Sequence, residues 1–172
     1  MAASFNTIDL DSLGLSPGQG ERLEVEVRPE GLELGGQSYD FGDGDILARV
    51  DISRTVSGYA MRLGFQARLS GPCMRCLEAA TFPISVDARE VDQPSTDDEE
   101  LNSPYVTAGE LGLAAWAHDA IALALPAQLV CRKDCAGLCP ECGISLNGVE
   151  AGTHVHEPEP DPRWAALREL DQ

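Results

Sequence analysis

The stretch Cys131-Arg132-Lys133-Asp134-Cys135-Ala136-Gly137-Leu138-Cys139-Pro140-Glu141-Cys142-Gly143-Ile144-Ser145-Leu146-Asn147 holds four of the six cysteines, spaced C-x3-C-x3-C-x2-C. The last two belong to a Cys-Pro-x-Cys-Gly knuckle. The remaining cysteines, Cys73 and Cys76, form a second C-x2-C pair far upstream. In a reducing compartment such pairs bind metal or do redox work rather than form structural disulfides. Two-residue spacing lets both thiols of a knuckle reach one ion, and zinc favours tetrahedral sulfur. The spacing therefore predicts one structural zinc ion bound by Cys73, Cys76, Cys139 and Cys142, tying a distant segment to a C-terminal lobe. The local quartet Cys131, Cys135, Cys139 and Cys142 competes with it, so Cys131 and Cys135 stand as alternates. His154-Val155-His156 could also ligate metal, but it lies in a polar segment and competes with six thiols.

Outward from the cysteines, the chain reads as α+β. Leu23, Val25 and Val27 alternate with charged residues, as do Ala48, Val50 and Ile52. The same period recurs in Met61, Leu63, Phe65, Ala67 and Leu69, and again in Phe82, Ile84 and Val86. A period of two is that of a strand with one buried face. Residues 22–91 are thus mainly β, an antiparallel meander sheet or a small barrel. Residues 92–104, with Asp97-Asp98-Glu99-Glu100, read as an acidic loop. Thr107-x-x-Glu110 has the form of a capping box and predicts a covering helix over 107–125, stopped by Pro126. Along it Leu111, Ala115, Ala122 and Leu125 form the expected apolar face, widened by Trp116, Ile121 and Leu123. After the cysteine-rich zinc lobe at 131–147 comes a tail, 150–172. Within it Asp161-Pro162 opens a short helix bearing Trp164, Leu167 and Leu170.

The 172 residues have room for one domain and its zinc lobe. No apolar run is long enough to span a bilayer, and the first twelve residues lack the basic and apolar regions of a signal peptide. A cytoplasmic location without membrane attachment is expected. The formal charge is −17, which argues against tight nonspecific binding to phosphate backbones and for basic protein partners. Residues 46–77 are the exception, with five arginines against a single acid, Asp51. Arg49, Arg62 and Arg68 fall on the strand face opposite the core, and Arg75 lies inside the first knuckle. Together they form a candidate face for RNA or a partner.

No Ser/His/Asp set, paired-carboxylate site or phosphate-binding glycine loop is present. A thiol redox enzyme would place its C-x-x-C at a strand-to-helix junction, and neither pair has that setting. Cys135-x3-Cys139-x2-Cys142 has the spacing of radical iron–sulfur enzymes, but it lies near the end of a chain too short for their barrel. A thiol-based redox or iron–sulfur enzyme remains the alternative to a non-catalytic role.

Several motifs occur in one order. The Cys73-Met74-Arg75-Cys76-Leu77 knuckle follows a β region. An acidic loop and a helix ending in Leu123-Ala124-Leu125-Pro126 come next. Then follow the block Cys131–Asn147 and a final Asp161-Pro162-Arg163-Trp164-Ala165-Ala166-Leu167. In this order the whole chain, 1–172, resembles the YceD family, the bacterial large ribosomal RNA subunit accumulation proteins. The resemblance implies a single domain and a non-catalytic role in the accumulation, processing or stability of 23S ribosomal RNA. It also implies a partner in that RNA or a precursor large-subunit particle, and the acidic total makes ribosomal or assembly proteins the expected route to it.

Overall fold

The computed structural model describes residues 3–4, 7–42, 44–94, 98, 101–150 and 152–156. Its centre is an open five-stranded sheet. β1 (Ala3–Ser4) runs parallel to β3 (Gly20–Val27), and β3, β6 (Ile46–Arg54), β7 (Tyr59–Pro72) and β8 (Ala79–Asp92) follow as an antiparallel meander. The sheet does not close into a barrel. Register follows the sequence alternation: Val25 pairs with Ala48, Val50 with Leu63, and Leu63 with Ala88. A one-residue slip would turn every apolar side chain to the solvent face, so the buried face holds the pairing in place.

Two smaller sheets cover one side of this scaffold. β4 (Leu32–Leu34) and β5 (Gln37–Tyr39) form a hairpin across Gly35-Gly36, both at positive φ, as a tight two-residue turn requires. β2 (Thr7–Asp9), β10 (Glu110–Gly112) and β9 (Val106–Thr107) form a three-stranded antiparallel sheet. The only α-helix among the described residues, α1 (Leu113–Ala124), packs on β8, β2 and β3.

The helix starts later than the capping box suggests. Thr107 and Glu110 face each other across a hairpin whose central residues, Ala108 and Gly109, have φ of 51° and 81°. Leu111 is fully buried as a strand residue opposite Ile8. Pairing with β2 buries Ile8 and Leu111 together, and that tertiary gain overrides the local helix signal. The apolar face differs too. Leu113, Trp116, Ala117, Ala120 and Ile121 are buried, whereas Ala115, Ala122 and Leu123 are exposed. The face turned inward is the one carrying the tryptophan, which removes the largest apolar area from water.

The two ends of the acidic stretch meet. The Gln93 N–H donates to the Leu101 carbonyl, and the Ser103 N–H donates to Asp92 Oδ1. Residues 95–97 and 99–100 of the expected acidic loop, and the expected C-terminal helix with Trp164, Leu167 and Leu170, lie outside the described residues.

One contact sets where the first cysteine knuckle leaves the sheet. Tyr39, 1% exposed, lies across the end of β7, and its hydroxyl donates to the Pro72 carbonyl at 2.9 Å. Gly71 makes room for that ring: a Cβ there would stand 2.2 Å from Tyr39 Cδ1. Gly71→Ala should therefore cost about 1–3 kcal/mol through overpacking. A lowered urea midpoint with unchanged m-value would register it, and an unchanged midpoint would contradict it.

Candidate metal centre

The end of the β7–β8 hairpin is the Cys73–Leu77 knuckle. The Cys73 N–H donates to the Glu78 carbonyl and the Leu77 N–H to the Cys73 carbonyl, so the chain reverses within five residues. Leu77 completes the reversal at φ 59°, a conformation that costs a branched side chain energy. The second knuckle repeats this form. The Gly143 N–H donates to the Cys139 carbonyl, the Cys139 N–H donates to the Ile144 carbonyl, and Gly143 has φ 73°. Each knuckle thus ends on a left-handed residue directly after its second cysteine.

The segment leaving α1 lies along the first knuckle. The Met74 N–H donates to the Leu129 carbonyl at 2.8 Å, and the Leu138 N–H donates to the Arg75 carbonyl at 3.2 Å. Gly137, at φ 79°, permits that approach, since a Cβ would meet the Arg75 carbonyl oxygen at 3.1 Å. These contacts bring Cys131 and Cys135 onto Cys73 and Cys76. The Sγ–Sγ distances are 3.8 Å for Cys73–Cys135 and 3.7 Å for Cys76–Cys131. All four sulfurs lie within 4.8 Å of one another. Four sulfurs held about 2.3 Å from a tetrahedral zinc are about 3.8 Å apart, whereas a disulfide needs about 2.05 Å. The donor set and spacing fit a four-thiolate ion.

Electrostatics agree with a cation among them. Burial pushes the Cys73 thiol up, but N–H groups of Cys131, Cys76 and Arg75 aimed at its sulfur bring it down to about 6. The Cys131 N–H stands 3.3 Å from that sulfur and the Arg75 N–H 3.4 Å. Desolvation, with Cys135, Cys76 and Cys73 alongside, pushes Cys131 up to about 12. Four adjacent thiols cannot all ionise against one another, and a divalent cation removes that conflict. Asn147 braces the cluster, its Nδ2 3.6 Å from Cys135 Sγ and its Oδ1 accepting the Ala136 N–H.

Cys139 and Cys142 gather with different partners. Their ligand atoms, with those of His154 and His156, lie within 4.8 Å of one another. The expected quartet of Cys73, Cys76, Cys139 and Cys142 is therefore not the one brought together here, nor is the local quartet of Cys131, Cys135, Cys139 and Cys142. The six cysteines divide as four and two. Geometric convergence also includes His154 and His156, which spacing had ranked behind the thiols. The H-x-H pattern beside a C-x2-C knuckle was the available signal.

Arg49, Arg62 and Arg68 are on the outer side of the sheet, and Arg75 is in the knuckle between β7 and β8. Arg62 makes a two-point pair with Asp87, at 2.6 and 2.7 Å, and holds that carboxyl below its usual range. Arg49 stands 3.4 Å from Asp51, which also accepts from Arg22. Arg54 instead lies over the Tyr59 ring. Arg68 and Arg75 are exposed, and neither has an ion pair among the described residues.

Residues 61–171 match the sequence model of a family described as large ribosomal RNA subunit accumulation protein YceD. The chain belongs to the YceD family. The matched span takes in both YceD cysteine knuckles and the two longest strands nearly whole, β7 and β8. Mycobacterial proteins are similar. The "Uncharacterized protein Rv2926c" of Mycobacterium tuberculosis is 35% identical over 180 residues, covering 98% of this chain and 82% of the relative. Its Mycobacterium bovis counterpart, "Uncharacterized protein Mb2951c", gives the same figures. The "Uncharacterized protein ML1660" of Mycobacterium leprae is 36% identical over 103 residues, 57% of this chain and 46% of the relative. No solved structure matches the chain.

Proposed function

We propose that this protein is a non-catalytic ribosome-biogenesis factor of the cytoplasm that promotes accumulation, processing or stability of 23S ribosomal RNA. Membership of the YceD family, whose description names large-subunit ribosomal RNA accumulation, is the observation that carries this reading. The four-thiol cluster adds to it. A zinc ion with four protein sulfurs has no open position for substrate, so its role is structural. Here it holds the lobe against the end of the sheet. Among the described residues no helix is long and apolar enough to cross a membrane.

Contact with the precursor large-subunit particle runs through the arginine-bearing face and the first knuckle, with acidic regions meeting basic ribosomal or assembly proteins. The ion pairs rank the arginines. Arg49 and Arg62 are partly neutralised by Asp51 and Asp87, which leaves Arg68 and Arg75 as the more available charges. In cells lacking the protein, 23S RNA should fall relative to small-subunit RNA, and the wild-type chain should restore it. An unchanged ratio would exclude the role. Arg68→Glu with Arg75→Glu should weaken co-sedimentation with large-subunit precursors at low salt more than Arg49→Glu with Arg62→Glu. If the RNA is touched directly, each lost phosphate contact lowers the salt slope by about 1. Binding unaffected by all four reversals would eliminate this face.

A further inference from the structure

We propose that Cys139, Cys142, His154 and His156 form a second, separate metal site of the two-sulfur, two-nitrogen zinc class, more exchangeable than the four-thiolate site. Cys139 Sγ stands 3.2 Å from His156 Nε2, and Cys142 Sγ stands 3.4 Å from His154 Nε2. The two Nε2 atoms are 2.8 Å apart. Around a tetrahedral zinc, such sulfur–nitrogen and nitrogen–nitrogen edges measure about 3.6 and 3.3 Å, so these three edges are within about half an ångström of a binding geometry.

A further contact places a carboxylate behind His156. Its Nδ1 lies 3.3 Å from Glu141 Oε2. A carboxylate beside one ring nitrogen is the usual support behind a histidine that binds metal through the other. Glu141 lies between the two cysteines of the knuckle, so the same turn supplies two ligands and the positioning carboxylate. His156 Nε2, the nitrogen away from Glu141, stands among His154 Nε2 and the two sulfurs, a convergence of donors that a divalent cation satisfies.

The two sites differ in construction. The four-thiolate site joins the β7–β8 hairpin to the segment after α1, and three of its cysteines are no more than 4% exposed. All ligands of the second site come from residues 139–156, Cys142 is exposed, and both histidines are only partly buried. Its loss removes no tie to the sheet. A chelator in water has a shorter route to it, so its ion should leave first. The second ion would staple residues 152–156 to the knuckle.

The test is metal content and spectroscopy on the full-length chain. The wild type should bind two zinc ions and release them to a chelating dye in two phases. His154→Gln with His156→Gln should bind one ion, lose the fast phase, and keep a four-thiolate cobalt spectrum. Cys73→Ser should lose the four-thiolate signal and retain a cobalt spectrum of lower thiolate charge-transfer intensity. Glu141→Gln should weaken the second site about 10–100-fold without changing the first. A wild type with one ion, or a double histidine variant that keeps two, would overturn the proposal. Circular dichroism on the histidine variant separates loss of a ligand from loss of the fold.

Discussion

Cys73→Ser should remove one metal ion per chain and release the lobe from the sheet. Cys73 is fully buried, receives the Cys131 and Arg75 N–H groups among others at its sulfur, and lies 3.8 Å from Cys135. Serine keeps the shape but supplies a poor ligand, and three thiols cannot hold the ion as four do. Structural zinc binding in small peptides is worth roughly 10–16 kcal/mol, and that binding energy is folding energy. Hydrogen exchange should lose protection over 73–77 and 129–138 while the register of β3, β6 and β7 stays protected. Cys131→Ser should produce the same loss of one ion, although its residue is exposed, because its sulfur stands 3.7 Å from Cys76. A site made from the two C-x2-C knuckles would instead leave Cys131→Ser with full metal content. Retention of all metal by both variants would rule out the four-thiolate cluster.

The second large effect belongs to the helix. Trp116 is 2% exposed, stacks on Tyr105 with ring centroids 6.2 Å apart, and fills the space between α1 and β8. Tyr105 is held to the same helix by its hydroxyl donating to Asp119 at 3.0 Å. Trp116→Ala removes the largest side chain at that contact, and the Asp119 bond that remains on Tyr105 limits collapse into the space. A loss of about 3–5 kcal/mol is expected, seen as a melting temperature lowered by roughly 10 °C. Metal content should stay unchanged, since Leu129 and the knuckles are held by backbone hydrogen bonds to one another. A melting temperature within a degree or two of wild type would mean that the helix does not cover the sheet as described.

Strand periods were readable where one face is buried. Val25, Val50, Leu63 and Val86 alternate with polar neighbours because the pleat turns successive side chains to opposite sides, and each lies in the core as the alternation implies. The tight turn at Gly35-Gly36 is likewise local in origin, since its positive φ values exclude most other residues. The stretch around Thr107 was misleading. A capping box and a hairpin turn can share the same four residues, and the choice depends on whether a partner strand waits nearby. That partner, Thr7–Asp9, is a hundred residues away in sequence and carries no local mark.

The cysteine block shows the same division. Spacing alone determined that the two C-x2-C pairs make tight knuckles, because the reversal needs only local hydrogen bonds and a left-handed residue after the second cysteine. It also determined that these thiols suit metal. Which donors meet was decided by tertiary structure. The β7–β8 meander delivers Cys73 and Cys76 beside Leu129, and the backbone hydrogen bonds there bring Cys131 and Cys135 within reach. Cys139 and Cys142 are left to the histidines that follow them. Ligand sets are distances between atoms, and only the folded chain supplies those.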